Sequence, residues 1–187
     1  MKTTPALGAV AAIAALALAG CGAAEPAAES PAASASAEAR VPETNEQMKD
    51  ESARGMAATT YYYFDAVNYA LKTGETDLML SVAADCAECE AAAADISAVY
   101  ADGGRIEGGQ PKAQNVLPLG EVDAQGGLTA VVPLMSDAKT VFAQDGTVVE
   151  ETAWDSEGTI FTAQGVFEDG AWKIVSLEET PDAELPE

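Results

Sequence analysis

The run Tyr61-Tyr62-Tyr63-Phe64-Asp65-Ala66-Val67-Asn68-Tyr69-Ala70-Leu71, continued by Lys72-Thr73-Gly74 and closed by Cys86-Ala87-Glu88-Cys89, decides the fold. Ala57, Thr60, Tyr61, Phe64, Val67, Asn68 and Leu71 recur at three- and four-residue steps, which is one face of an α-helix. That helix is expected from about Asn45, with polar, exposed first turns through Asp50 and Glu51. Lys72 suits its C-terminal dipole and Gly74 ends it. Three consecutive tyrosines, Tyr61 to Tyr63, point in different directions around a helix, so no more than two share a surface and core packing takes most of this aromatic cluster.

Thr76 is the expected cap of a short second helix carrying Leu78, Met79 and Val82. Asp85 is the expected N-cap of a third, with Glu88 three places later completing a box-like signal. Cys89, Ala93, Ile96 and Tyr100 form the stripe of that helix, which stops at Asp102-Gly103-Gly104.

Beyond Gly104 helical periodicity disappears. Segments 114–122, 128–135 and 159–167 mix β-branched and apolar residues, and Gly126-Gly127, Asp145-Gly146 and Asp169-Gly170 punctuate them as turns. Thr140-Val141-Phe142 and Thr147-Val148-Val149 predict a short protruding hairpin. In the last strand, alternation puts Trp172 and Ile174 on one face and Val175 and Leu177 on the other. Pro111, Pro118 and Pro133 should mark strand starts, edges or bulges. Helices first and antiparallel strands after define an α+β domain, with N-terminal helices packed on a curved antiparallel sheet.

The N-terminus carries an address. Met1-Lys2 is a minimal positive region, and the apolar segment that follows, Leu7 to Ala19, is too short to remain as a membrane-spanning helix. It ends in Leu18-Ala19-Gly20-Cys21, which resembles the bacterial lipobox, where a cysteine is diacylated and becomes the mature N-terminus. Residues 1–20 are thus expected to be a lipoprotein signal peptide and Cys21 its lipid attachment site. Two or three acyl chains, at about 0.8 kcal/mol per buried CH₂, anchor a protein durably. The expected location is the extracytoplasmic face of the cell membrane. Segment 21–42, rich in Ala, Ser, Pro and Glu, has almost no large apolar residue and is expected to be a disordered tether. The folded domain is expected over 43–178 and an acidic tail over 179–187.

Composition narrows function. Net charge is −22 and histidine is absent. Such a surface repels phosphate backbones, so nucleic acid is not an expected partner. Without histidine the usual general base and the commonest metal ligand are missing. Glu150, Glu151, Asp155 and Glu157 are acidic neighbours, but their spacing fits no EF-hand loop. No cofactor, metal site or catalytic residue is expected.

Cys86 and Cys89 admit three readings in an oxidising compartment. Residues at i and i+3 near a helix start come within bonding range for a structural disulfide. A redox-active pair would exploit the helix N-terminus, but the aromatic and proline context of thioredoxin-like sites is lacking. Structural zinc would need four ligands, with no histidine and no further free cysteine to supply them.

The pieces Tyr63-Phe64-Asp65-Ala66-Val67-Asn68-Tyr69-Ala70, Thr73-Gly74-Glu75-Thr76, Cys86-Ala87-Glu88-Cys89 and Asp169-Gly170-Ala171-Trp172-Lys173-Ile174-Val175 resemble a family of actinobacterial lipoproteins of unknown function. The layout resembles the NTF2-like cone, in which a long helix and shorter helices close a curved sheet around a pocket. That resemblance implies a fold shared by enzymes and by binding or assembly modules. Two functions follow. The first is a non-catalytic module that binds a small apolar ligand or an envelope protein, with Tyr61, Phe64, Asn68 and Trp172 as candidate pocket-lining residues. The second is an NTF2-like enzyme, a proton-transfer isomerase or dehydratase, which needs a carboxylate of raised pKa in an apolar pocket. Asp65 is the carboxylate in question, and it falls off the apolar stripe.

Overall fold

A computed structural model describes residues 39–154 and 157–181. The expected signal peptide, Cys21 and most of the tether lie outside the described residues, as does the tail beyond 181.

Among the described residues the first element is a single 3₁₀ turn, Glu46–Lys49, after which the helical run breaks. The long helix, α1 (Ala53–Thr73), begins only after this break, because Ser52 Oγ accepts from the Gly55 N–H and fixes its first turn. The expected start near Asn45 is therefore corrected: Asp50-Glu51-Ser52 forms an N-cap, not a continuous polar helix end. Gly74 closes α1 in the left-handed conformation, as expected. Two shorter helices follow, α2 (Asp77–Ser81) and α3 (Ala87–Ala101). Thr76 stands at the cap position of α2, but its hydroxyl meets Ser97 Oγ instead of the backbone. The N-cap of α3 is Cys86, whose Sγ accepts from the Cys89 N–H; Asp85 sits just outside with φ +52°.

Among the described residues eight strands follow: β1 (Arg105–Gly108), β2 (Pro111–Ala113), β3 (Leu117–Leu119), β4 (Gly127–Ser136), β5 (Lys139–Phe142), β6 (Val148–Thr152), β7 (Thr159–Glu168) and β8 (Ala171–Glu179). They form two antiparallel sheets. The larger has the order β2-β4-β7-β8 with β3 also paired to β4, and the smaller has the order β1-β5-β6. Three helices on antiparallel sheets make this an α+β fold.

β1 and β2 escape sequence reading because each is only three or four residues long, and they are separated only by Gly109-Gln110 after Gly108 closes β1. The expected strand over 114–122 shrinks to β3. Pro111 opens β2 and Pro118 lies in the edge strand β3. Pro133 sits inside β4, which looks forbidden for a paired strand. Its carbonyl accepts from the Gln114 N–H, so its missing N–H also points to that side. There the chain passes between β2 and β3, whose pairings with β4 stop at Leu134 and Val131. No ladder bond is lost.

Two readings of periodicity need correction. On α1 the most buried line is Met56, Thr59, Tyr63, Ala66 and Ala70, about one residue (roughly 100°) round from the expected line. Thr60, Phe64 and Leu71 of the expected line are buried as well. Large side chains defined the expected stripe, whereas the closest approaches are made by small ones that let neighbouring elements in. Only Arg54, Tyr61, Asp65 and Lys72 of this helix are exposed. On β8, Leu177 joins Trp172 and Ile174 in the core instead of facing away. The register with β7 shifts between Gln164 and Gly165, so Val175 is an extra residue that flips the alternation.

Trp172 is the centre of the core, 1% exposed, and its indole N–H donates to the Asp50 carbonyl at 2.7 Å. Two glycines make room for it. A Cβ on Gly55 would strike the Asp50 carbonyl and lie 2.8 Å from Trp172 Nε1. A Cβ on Gly165 would collide with Met56 and approach Trp172 Cε3 to 3.2 Å. Alanine at Gly55 therefore trades a favourable helix propensity for a backbone collision. Gly55→Ala is expected to lower unfolding free energy by about 1–3 kcal/mol, the usual cost of overpacking. Urea denaturation measures it, and an unchanged or raised midpoint would show that the Trp172 slot is not tight.

Candidate functional site

The four residues expected to line a pocket are not gathered into one. Trp172 and Phe64 are buried packing residues, the latter edge-on to Tyr63 with ring centroids 5.4 Å apart. Tyr61 lies on the exposed stripe of α1, where its hydroxyl accepts from the Val116 N–H at 3.0 Å. Asn68, two turns on, donates through Nδ2 to the Pro111 carbonyl at 2.9 Å. A carbonyl only accepts, so this bond fixes the amide orientation. These two polar tips tie α1 to the broken β2–β3 edge of the large sheet.

The interior between α1 and that sheet is filled by Met56, Tyr63, Met79, Trp172 and Ile174. Among the described residues no Asp, Glu, Lys or Arg is buried. Tyr63 is the titratable group most affected, its pKa pushed up to about 12 by burial.

A groove of about 470 Å³ opens on the outer side of α1, between Asp65, Asn68, Tyr69 and Lys72 of the helix and the segment 39–43. Asn68 Oδ1 is buried there without a hydrogen-bond partner. Asp65 is exposed, yet neighbouring atoms remove enough of its water to raise its pKa above the ordinary carboxylate value. The Tyr69 hydroxyl is engaged by Glu75 at 2.8 Å. Polar spacing along the helix, at positions 65, 68, 69 and 72, carried the only sequence signal for this groove. The approach of segment 39–43, of which 39–42 reads as tether, carried none.

Cys86 and Cys89 form a disulfide with a Cα–Cα separation of 5.2 Å, and both are buried, at 1% and 0% exposure. A redox-active pair needs an attacking sulfur open to its substrate. Here both sulfurs are buried in the cap and first turn of α3, an arrangement suited to locking that turn rather than to exchange. The small ring limits its entropic contribution to about 2 kcal/mol.

Two exposed valines lie on the small sheet. Every residue of β6 is exposed, Val148 at 46% and Val149 at 62%. Behind it, Val99 of α3, Val141, Phe142 and Val149 line an apolar groove of about 260 Å³. On the sheet, Glu150 pairs with Lys139 at 2.8 Å, which holds its carboxyl below the usual range. Among the described residues no helix is long and apolar enough to cross a membrane, and no cluster of His, Cys, Asp or Glu is arranged to hold a metal ion.

Fold and site together define a small α+β domain with a filled core, a buried helix-locking disulfide and its polar and apolar grooves on the outside. The chain belongs to the family of unknown function DUF6318, whose pattern matches residues 24–178. No curated protein matches it in sequence. It is similar in structure to the intermembrane space region of the chloroplast protein ARC6, at 12% identity and a TM-score of 0.48, over 70% of this chain and 97% of that one. It is also similar to a putative dehydratase from the NTF2-like family of Streptomyces avermitilis, at 12% identity and a TM-score of 0.39, over 70% and 98% of the two chains. A third is a putative calcium/calmodulin-dependent protein kinase type II association domain from Thiobacillus denitrificans, at 18% identity and a TM-score of 0.37, over 66% and 92%. Likeness at this level says nothing of activity, ligand or partner.

The disulfide reading predicts that alkylation of the native, unreduced protein labels neither Cys86 nor Cys89, and that a reductant without denaturant leaves both unlabelled for as long as the fold holds. Intact mass after each treatment reads this. Rapid reduction in native buffer would show that the sulfurs are accessible.

Proposed function

We propose that this protein is a lipoprotein anchored at Cys21 to the extracytoplasmic face of the cell membrane, and that its domain is a non-catalytic binding module that works through its surface. The observation that carries the second half is the interior itself. An enzyme of the proton-transfer kind needs a carboxylate enclosed by apolar walls beside a hydrogen-bond donor. The space between helix and sheet, where such a group would sit, is occupied by Trp172, Tyr63 and Met56. A small apolar ligand finds no room there for the same reason.

Among the described residues Asp65 is the one carboxylate with a raised pKa, and it stands beside Asn68 in the outer groove. That groove is walled by Arg40, Glu43 and Lys72 and faces water, which holds the carboxylate close to its solution chemistry. It suits contact with polar groups better than proton abstraction. A protein of the envelope is therefore the partner class that this surface favours.

Anchoring is supported by the sequence ending at Leu18-Ala19-Gly20-Cys21. Cys21→Ala is expected to move the protein from the membrane fraction to the soluble one, since no acyl chain then holds it and among the described residues no helix is long and apolar enough to cross a membrane. Fractionation after a high-salt wash is the measurement. A variant still sedimenting with membranes would remove the anchor. Crosslinking in native membranes tests the binding role, with a reproducible protein adduct expected and its absence counting against it.

A further inference from the structure

We propose that β6 is a docking edge onto which a cationic, extended peptide segment of a partner protein adds as a further strand. This deepens the binding-module reading above and rests on it.

Unpaired strand edges invite association, and folded proteins ordinarily cover them. The large sheet follows that rule. Its β8 edge is covered by the turn before α3, where Ile174 N–H donates to the Val82 carbonyl and Ala84 N–H donates to the Ile174 carbonyl. Its other edge is split into β2 and β3, interrupted by Pro111 and Pro118, and tied to α1 through Tyr61 and Asn68. β6 carries a register shift at Val149 against β5, but it lacks the cover the other edges have. Among the described residues its outer side pairs with no strand, it has no proline or lysine, and none of its five residues is covered.

Its side chains say what it would accept. Val148 and Val149 offer apolar contact, and Val149 borders the apolar groove that runs toward Val99, so an added strand could seat alternate apolar side chains there. Glu150 and Glu151 follow directly and are exposed. Opposite charges across paired strands stabilise them and like charges oppose them. A second copy of this chain would bring its own Val148–Thr152 and place glutamates against glutamates, on a molecule of net charge −22. The edge thus disfavours self-pairing and favours a strand with alternating lysine or arginine and apolar residues.

The test uses full-length lipidated protein in non-ionic detergent, with a synthetic peptide of alternating lysine and valine as probe and the same peptide with glutamate for lysine as comparison. Hydrogen exchange followed by mass spectrometry is the readout. The expected result is at least about fivefold slower exchange confined to β6, lost with the glutamate peptide and with Glu151→Lys, and weakened by salt. Glu151 is exposed, so this variant keeps the fold, and its unperturbed exchange elsewhere verifies that. No protection at β6, equal protection by the acidic peptide, or protection without peptide through self-association would each overturn the proposal. Crosslinks in native membranes that fall outside β6 would also overturn it, while leaving the binding-module reading standing.

Discussion

The indole of Trp172 fixes this structure. Its N–H reaches the Asp50 carbonyl, across 122 residues of sequence, and so joins the last strand to the segment that starts the first helix. The bond requires a bare backbone at Gly55 and at Gly165, because a methyl group at either position would intrude on the ring or its partners. Burying an indole while giving its N–H a carbonyl partner avoids the penalty of an unsatisfied donor. Everything between follows from this closure: α1 runs across the sheet with only a narrow stripe left outside, and the space where related layouts could hold a ligand is taken by side chains.

Most of the layout was legible in the sequence, and the reason is local. Gly74, the Asp145-Gly146 and Asp169-Gly170 turns and the helical steps of α3 are each set by a few neighbouring residues. What was not legible depended on distant partners. On the buried face of α1, Ala66 and Ala70 are small enough to admit the neighbouring elements and are fully buried, while the larger Val67 and Tyr61 are not. The inward turn of Leu177 depends on a bulge opposite Gly165. Pro133 survives inside a strand only because the chain on its open side has left the ladder.

The same distinction applies to the candidate site. Asn68 stood out as a polar residue on an apolar stripe, and it both ties the Pro111 backbone and faces a groove. That the other wall of this groove is segment 39–43 could not be read from a stretch of Ala, Arg, Val and Pro. The exposed edge β6 was legible as a protruding hairpin, but its lack of a covering element is a property of the whole topology. Tyr61 and Asn68 guard one edge and the turn before α3 guards another. The contrast with β6 is what gives that strand its meaning.

A closed core is the central claim, since it separates a surface-binding module from a cone that holds a small molecule. Native mass spectrometry of the full-length protein, extracted gently from its own membranes, tests it most directly. The expected spectrum shows the chain with its covalent modification and no retained apolar molecule, before and after denaturation. A stoichiometric apolar compound released only on unfolding would contradict the filled interior, and with it the assignment of function to the outer surface.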